Sequence, residues 1–229
     1  MNDKLNRKRK RTNINNKHIK TNFNHMMNTK NKYYDNPPDF KMLGEKYEEF
    51  GKHVFMNKYG DYNIDWKDKD AVKILTKTLL YHDFSVKYWD IPNNFLVPSV
   101  TSRLNYLLWI KDLLALFPKV CEREIMGIDV GVGANCIYPL IGHKEFGWKF
   151  LCSDINKEAI DIADKIIKEN FLKTSIKLVH QIDEKKIFEN VIIDPTFYHF
   201  NICNPPYFDT HEIKENNPKK VFICTSIAL

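Results

Sequence analysis

The sequence predicts an α/β protein built on a parallel, doubly wound sheet, with a small helical cap on its N-terminal side. From residue 124 onward, short apolar runs alternate with helix-length amphipathic segments. Strands separated by connections of that length pair in parallel, because an antiparallel pair needs only a short turn. The first apolar run is followed by Gly131 and Gly133, a spacing typical of a strand that turns sharply into a helix.

Helices of the cap are predicted between residues 33 and 102 from capping residues and apolar spacing. We expect a short helix over Leu43–Phe50 and a longer one over Ala71–Tyr81, which Asp68 or Asp70 would cap. The aromatic residues that alternate with Lys and Asp here are Tyr59, Tyr62, Trp66, Tyr81, Phe84, Tyr88 and Trp89. Such rings can stack on bases, but we expect most of them to belong to the core.

A wide apolar face predicts a further helix over Arg103–Phe117, capped by Thr101 or Ser102 and ended by Pro118. Beyond it, strands and helices are expected to alternate. The strands are Ile125–Val130, Trp148–Cys152, Ile176–Val179 and Phe197–Cys203, and the helices are Ala134–Ile141, which Gly142 would close, and Glu158–Asn170.

Positive charge is concentrated at the N-terminus of the 229-residue chain. Residues 1–32 hold ten Lys and Arg against one acid, whereas the whole chain has a net charge of +6. We expect residues 1–30 to form a disordered basic tail, because they lack the apolar periodicity of a packed element. The run Lys8-Arg9-Lys10-Arg11 suits a polyanion such as nucleic acid, and it also suits a nuclear localisation signal.

Membrane, secreted and metal-binding proteins are not expected from this sequence. No apolar run approaches the length of a membrane span, and the N-terminus lacks the apolar core of a secretory signal. The five cysteines form no C-x-x-C pair, and no histidine cluster has metal-ligand spacing. We therefore expect a nuclear or cytoplasmic location, reduced thiols, no metal and no membrane partner.

Two predicted strand ends carry residues suited to a nucleotide-like ligand. Asp129 precedes Gly131 and Gly133, where the backbone can approach a ligand closely at the start of a helix. Asp154 ends the second strand, where a carboxylate can accept both hydroxyls of a ribose. Each signal is weak alone, since the dinucleotide fingerprint needs a third glycine or alanine, and an aspartate placed like Asp154 is more often a helix cap.

The fourth predicted strand ends in Asn204-Pro205-Pro206-Tyr207. The two prolines cannot donate to a sheet, so they stop the strand. An amide, two carbonyls and an aromatic ring are thus expected at the sheet edge where ligands bind. This set suits a flat, amino-bearing group, and together with the two earlier strand ends it predicts one functional site.

These motifs together resemble class I S-adenosylmethionine-dependent methyltransferases that act on amino groups, which implies a Rossmann-like sheet. Further stretches resemble the RNA adenine-N6 methyltransferases related to methyltransferase-like sixteen and to the bacterial large-subunit ribosomal RNA enzymes. The stretches are Asn36-Pro37-Pro38-Asp39-Phe40, Ile91-Pro92 through Pro98-Ser99-Val100, Arg103-Leu104-Asn105-Tyr106 and Gly127–Leu140. The resemblance covers roughly residues 30–210.

The resemblance implies roles for individual residues. The expected S-adenosylmethionine contacts are Arg103, Asp129, Gly131, Gly133, Asn135, Asp154 and Asn204, and the expected catalytic residues are Asn204, Pro205, Pro206 and Tyr207. Arg103 would pair with the carboxylate of the cofactor, and Asp154 would hold its ribose. The implied substrate is the N6 amine of an adenosine in structured RNA, either small nuclear or ribosomal RNA.

On this interpretation, residues 31–102 form a cap or RNA-binding segment, and residues 103–229 form a partial methyltransferase domain. Only 22 residues follow Tyr207, too few for the elements that complete such a sheet, so we expect a C-terminal truncation. Val221–Leu229 could supply one short strand. Three alternatives stay open: an enzyme acting on DNA adenine or protein glutamine, a catalytically impaired RNA-binding remnant, and a nucleotide-binding domain with another cofactor.

Overall fold

The computed structural model describes residues 26–117, 124–193 and 196–205. The N-terminal part contains α1 Phe40–Lys46, α2 Glu48–Gly51, β1 Phe55–Met56, β2 Tyr62–Asn63, α3 Lys69–Phe84 and α4 Val100–Leu114. The sheet-forming part contains β3 Met126–Val130, α5 Ile137–Phe146, β4 Lys149–Asp154, α6 Lys157–Glu169, β5 Ile176–His180 and β6 Phe200–Cys203.

The main sheet is parallel, with the strand order β5-β4-β3-β6. This order confirms the doubly wound α/β fold expected from the sequence. The chain adds β4 on one side of β3 and later adds β6 on the other, so the strand order reverses at β3. Such a reversal opens a crevice at the carboxyl ends of the strands, where open α/β sheets bind ligands.

The first helix of the sheet-forming part departs from its predicted bounds at both ends. It begins at Ile137 rather than Ala134, because Gly133 and Cys136 have positive φ angles of 64° and 49° that are incompatible with a helix. It continues through Gly142 and ends before Gly147, whose φ is 72°. A Cβ on Gly142 would lie 2.7 Å from Phe150 Cζ, so this glycine serves close helix–sheet packing and does not end the helix.

Helix α4 joins the two parts of the molecule. It begins at Val100 after Ser99, three residues earlier than predicted, because buried Val100 extends its apolar face. The expected domain boundary between residues 102 and 103 therefore falls inside a helix. One continuous hydrophobic core also includes residues of the cap and residues of the sheet-forming part.

The cap differs from the expectation of helices alone and of mostly buried aromatic residues. It contains an antiparallel hairpin, β1–β2, in addition to its helices. Trp89 and Phe84 are buried as expected, but four of the seven aromatic residues are exposed: Tyr59, Tyr62, Trp66 and Tyr81. Tyr59 and Tyr62 belong to the hairpin, whose two-residue strands offer too little surface to cover their rings, whereas Trp66 follows β2 and Tyr81 lies on α3.

The ordered body begins before residue 31, where the disordered tail was expected to end. Asn28 is buried, and its backbone N–H donates to Asn105 Oδ1 at 2.7 Å. Its side-chain amide donates to Asp112 Oδ2 at 2.7 Å, which fastens residues 26–31 to α4. The predictions for Lys8–Arg11, Pro118, Pro206, Tyr207 and Val221–Leu229 lie outside the described residues.

Candidate functional site

Three neighbouring strands end at the same level on one edge of the sheet. Val130 on β3 pairs in register with Ser153 on β4 and with Cys203 on β6. Gly131, Asp154 and Asn204, which directly follow those residues, therefore meet at the crevice where the strand order reverses. The structure thus brings together at one edge the three strand ends that the sequence singled out.

The loop that follows β3, residues 131–136, is shaped by left-handed backbone conformations and held to β4. Gly131 has a φ of 75°, and its N–H and that of Val132 donate to Ser153 O at 2.8 and 3.0 Å. Gly133 N–H donates to Asp154 Oδ2 at 2.8 Å. A Cβ on Gly131 would meet no atom of the described residues within 4 Å, so those residues leave the space in front of Gly131 open.

Asp154 supports the loop and does not cap α6. Asn156 fills the capping position, where its side chain accepts a hydrogen bond from Ala159 N. Asp154 Oδ1 accepts from Asn156 N at 2.8 Å, while Oδ2 accepts from Gly133 N. A carboxylate has about four acceptor sites, so two remain for a ligand hydroxyl pair.

Asp129 is a buried carboxyl beneath this loop with an unsatisfied oxygen. It is 2% exposed, and no group of the described residues donates a hydrogen bond to its Oδ2. The pKa of Asp129 is raised to about 7, mainly by burial and to a smaller extent by the nearby charge of Asp154. The guanidinium of Arg103, on α4, has the opposite effect and lowers this pKa, so its positive charge acts on Asp129.

Arg103 is positioned by an aromatic ring of α5. Its guanidinium carbon lies 5.4 Å from the centroid of the Tyr138 ring, within the range of a cation–π contact. Tyr138 was missed by the sequence reasoning because a buried aromatic residue on a helix is ordinarily core. The half-buried Arg103 thereby contributes the positive charge of a site that is otherwise acidic.

Asn135 uses its side chain within the protein. Its Oδ1 accepts from Ile137 N at 3.1 Å, and its Nδ2 donates to Leu96 O at 3.3 Å. Its backbone carbonyl accepts from Trp89 Nε1 at 2.9 Å. Asn135 was expected from the sequence to contact the ligand, whereas the contact with Trp89 was not expected, because no local pattern links residues that are 46 positions apart.

Asn204 and Pro205 are the described part of the proline motif. Asn204 is half-buried and Pro205 is exposed at the end of β6. Pro206 and Tyr207 lie outside the described residues, so their proposed roles rest on the sequence.

A further cavity lies outside the crevice. A shallow cavity of about 420 Å³ is lined by Lys168, Glu169, Phe171, Lys173 and Thr174. It lies where α6 leads into β5, at the amino edge of the sheet, and shares no residue with the site above. Within the described ranges, no group of His, Cys, Asp and Glu could hold a metal ion, and no helix has the length and apolarity of a membrane span.

Comparison with known proteins identifies related sequences. A family model described as RNA methyltransferase matches residues 21–222. Ribosomal RNA large subunit methyltransferase F of Bacteroides fragilis is 38% identical over 205 residues, covering 84% of this chain and 65% of that protein. Human RNA N(6)-adenosine-methyltransferase METTL16 is 36% identical over 200 residues, covering 85% of this chain and 35% of that protein. The chain spans less than two thirds of either relative.

Solved structures with the same fold include two complexes. The N-terminal domain of human METTL16 in complex with SAH has a TM-score of 0.73 and 36% identity, covering 85% of this chain and 73% of that one. The human Mettl16 catalytic domain in complex with MAT2A 3'UTR hairpin 1 has a TM-score of 0.71 and 36% identity, covering 85% and 64%.

Proposed function

The chain belongs to a family of RNA methyltransferases, and from that premise we propose that it transfers a methyl group from S-adenosylmethionine to the N6 amine of an adenosine in structured RNA. The observation that carries the proposal is the register of β3, β4 and β6. It brings Asp154, Gly131 and Asn204 next to one another at one crevice. Asp154 and Gly131 would contact the cofactor there, and Asn204, at the end of the neighbouring strand, would contact the acceptor amine.

The residues at the crevice fit S-adenosylmethionine. SAH, which is bound in a related structure, is what this cofactor becomes after it gives up its methyl group. The open space in front of Gly131 admits a ligand against the backbone, and Asp154 keeps two acceptor sites for ribose hydroxyls. Arg103 offers a guanidinium for the cofactor carboxylate, and the unsatisfied Asp129 Oδ2 is a buried acceptor near that cation.

The protein contributes positioning more than acid–base chemistry. The bound cofactor supplies a sulfonium methyl that is already activated for transfer. An exocyclic adenine amine is a poor nucleophile because its lone pair is delocalised into the ring. Asn204 Oδ1 and the Pro205 carbonyl are proposed to accept its two hydrogens, which favours a pyramidal nitrogen, and Tyr207 to stack on the extruded base. The N–C bond would form as the S–C bond breaks, the cofactor would leave as S-adenosylhomocysteine, and the methylated nitrogen would lose one proton to solvent, so no dedicated general base is needed.

RNA is the proposed partner of the exposed hairpin. Tyr59 and Tyr62 are solvent-exposed, with Lys58 Nζ 4.9 Å and Lys41 Nζ 5.8 Å from their respective ring centroids. Exposed rings beside cations provide stacking surfaces for bases and charge for phosphates. This arrangement supports a role of the cap in RNA binding. Nuclear location stays a prediction, because the Lys8–Arg11 cluster is outside the described residues.

The proposal is tested by methyl transfer with matched variants of Asn204. We expect the wild-type chain to label an adenosine-containing RNA hairpin with tritiated methyl, and the digested product to be N6-methyladenosine. Asn204→Ala should abolish transfer because it removes the acceptor for the amine. Calorimetry should still show cofactor binding, because the other expected cofactor contacts, among them Arg103, Gly131 and Asp154, are kept. Asn204→Asp keeps an acceptor oxygen and should retain measurable transfer.

Four outcomes would contradict the proposal. Binding of RNA without any binding of S-adenosylmethionine would instead identify an RNA-binding remnant. A crevice that binds another nucleotide in place of this cofactor would point to a different nucleotide-binding domain. Methylation confined to a DNA duplex or to a glutamine-containing peptide would identify a different substrate of the same motif. Undiminished transfer by Asn204→Ala would remove that residue from the reaction.

A further inference from the structure

The glycine loop, residues 131–136, is held from two sides. On the sheet side, Ser153 and Asp154 accept hydrogen bonds from its backbone amides. On the cap side, the indole N–H of Trp89 donates to the carbonyl oxygen of Asn135 at 2.9 Å. Trp89 is 1% exposed, so little solvent competes for this bond. The sheet-side contacts shape the site described above. The contact from Trp89 on the cap side is not part of the proposed reaction.

The segment that carries Trp89 is itself anchored on both sides of that residue. We call residues 86–98 the strap. Asn170, which caps the C-terminus of α6, accepts from Tyr88 N at 3.3 Å and donates to Tyr88 O at 2.6 Å. Further along, Leu96 O accepts from Asn135 Nδ2 at 3.3 Å. The strap therefore connects a fixed point on α6 to the end of the glycine loop.

The peptide bond that Trp89 contacts, Asn135–Cys136, leads into a residue with an unfavourable backbone conformation. Gly131, Gly133 and Cys136 all have positive φ angles, of 75°, 64° and 49°, but only the first two lack a Cβ. A left-handed conformation is disfavoured for a residue with a side chain, so Cys136 reverts to another conformation unless its surroundings hold it. The Asn135 carbonyl belongs to the peptide bond directly before Cys136. A hydrogen bond to that oxygen fixes the peptide plane about which the φ angle of Cys136 is set.

We infer that Trp89 is a positioning residue for cofactor binding. Its indole N–H holds the Asn135–Cys136 peptide, and thereby keeps the backbone of Gly131 and Gly133 in the shape that binds S-adenosylmethionine. The inference rests on the proposed function, because it names a determinant of affinity at the same crevice. Trp89 acts through the loop and does not touch the cofactor.

Two phenylalanine substitutions separate this role from a loss of packing. Trp89→Phe removes the N–H donor and keeps an aromatic ring. The matched control is Trp148→Phe, because Trp148 is also buried and packs on Phe146 and Phe200 before the start of β4, at the end of the strand away from the loop. Both variants lose the same number of atoms from the core, but only one loses a bond to the loop.

The test combines calorimetry with hydrogen exchange. We expect Trp89→Phe to weaken S-adenosylmethionine binding about fivefold, the loss expected for one neutral hydrogen bond, with kcat at saturating cofactor unchanged. In the ligand-free protein, amides of residues 132–137 should exchange faster in Trp89→Phe than in wild type. Trp148→Phe should lower Tm by a similar amount and change neither the affinity nor the loop exchange.

The possible results distinguish this inference from the proposed function. Wild-type cofactor binding with unchanged affinity and loop exchange in Trp89→Phe overturns the inference and leaves the proposed function standing. Equal loss of affinity in both variants also overturns it, since a general loss of stability then explains the effect. If the wild type binds no cofactor, the proposed function fails, and loop exchange alone decides whether Trp89 positions the loop.

Discussion

Asp129→Asn is expected to make the ligand-free protein more stable above pH 7. Asp129 lies on β3 at 2% exposure, and the described structure provides no donor for its Oδ2. Burial raises its pKa to about 7, with a second contribution from the charge of Asp154 and an opposing one from Arg103. An asparagine has nearly the same shape and carries no charge that folding must remove from water.

The size and the pH dependence of the effect follow from the raised pKa. The ordinary pKa of an aspartate is 3.8, and the difference from about 7 corresponds to roughly 4 kcal/mol of folding free energy. Because the folded state binds more protons than the unfolded state between these values, wild-type stability falls as pH rises from about 4 to about 7. A buried amide also loses hydrogen bonds to water. We therefore expect Asp129→Asn to recover about half of this folding free energy, roughly 2 kcal/mol at pH 8.

Urea denaturation followed by circular dichroism at pH 5, 6, 7 and 8 measures this effect. The advantage of Asp129→Asn should be greatest at pH 8 and shrink toward pH 5. Asp112→Asn is a control with the opposite sign, because hydrogen bonds from Lys30 and Asn28 lower the pKa of Asp112, so its ionised form favours folding. An Asp129→Asn variant that is less stable than wild type at pH 8, or whose advantage does not vary with pH, refutes the reasoning.

Other substitutions test packing, capping and RNA contact. Gly142→Ala should destabilise the fold by about 1–3 kcal/mol in the same denaturation assay, because the new Cβ would lie 2.7 Å from the Phe150 ring. Asn156→Ala should cost about 1 kcal/mol through loss of the α6 cap, and Asn156→Ser should recover most of it. Combined replacement of Tyr59 and Tyr62 by alanine should weaken binding of an RNA hairpin about tenfold in fluorescence anisotropy without changing cofactor affinity. Unchanged RNA affinity would exclude the hairpin from the interface.

Elements with strong local signals were predicted closely. Helix α6 was expected over Glu158–Asn170 and spans Lys157–Glu169, because Ile160, Ala163, Ile166 and Ile167 recur on one face at helical spacing and are buried. The β3 and β4 strands were found within two residues of their predicted bounds, since buried parallel strands are continuous apolar runs. The same locality explains why the positions of Gly131, Asp154 and Asn204 at strand ends were predicted.

Errors arose where distant residues decide a local feature. Gly142 was predicted to end a helix, because glycine commonly does so, but the Phe150 ring packed against it requires a glycine inside α5. Most aromatic residues of the cap were expected in the core, yet Tyr59, between β1 and β2, and Trp66, after β2, are exposed. Composition alone does not predict which aromatic residues will be buried, because burial depends on how much surface the neighbouring elements provide.

Sequence alone was sufficient for the order of the elements in the sheet-forming part, the parallel sheet, and the chemical types of residue at the three strand ends. These features depend on periodicity and spacing along the chain. The tertiary structure decided that Asp129 is a buried acid with a pKa of about 7, and that Asn135 is held by Trp89, a residue of the cap. A pKa depends on burial and neighbouring charges, and a hydrogen bond depends on a partner, so neither exists until the chain has folded.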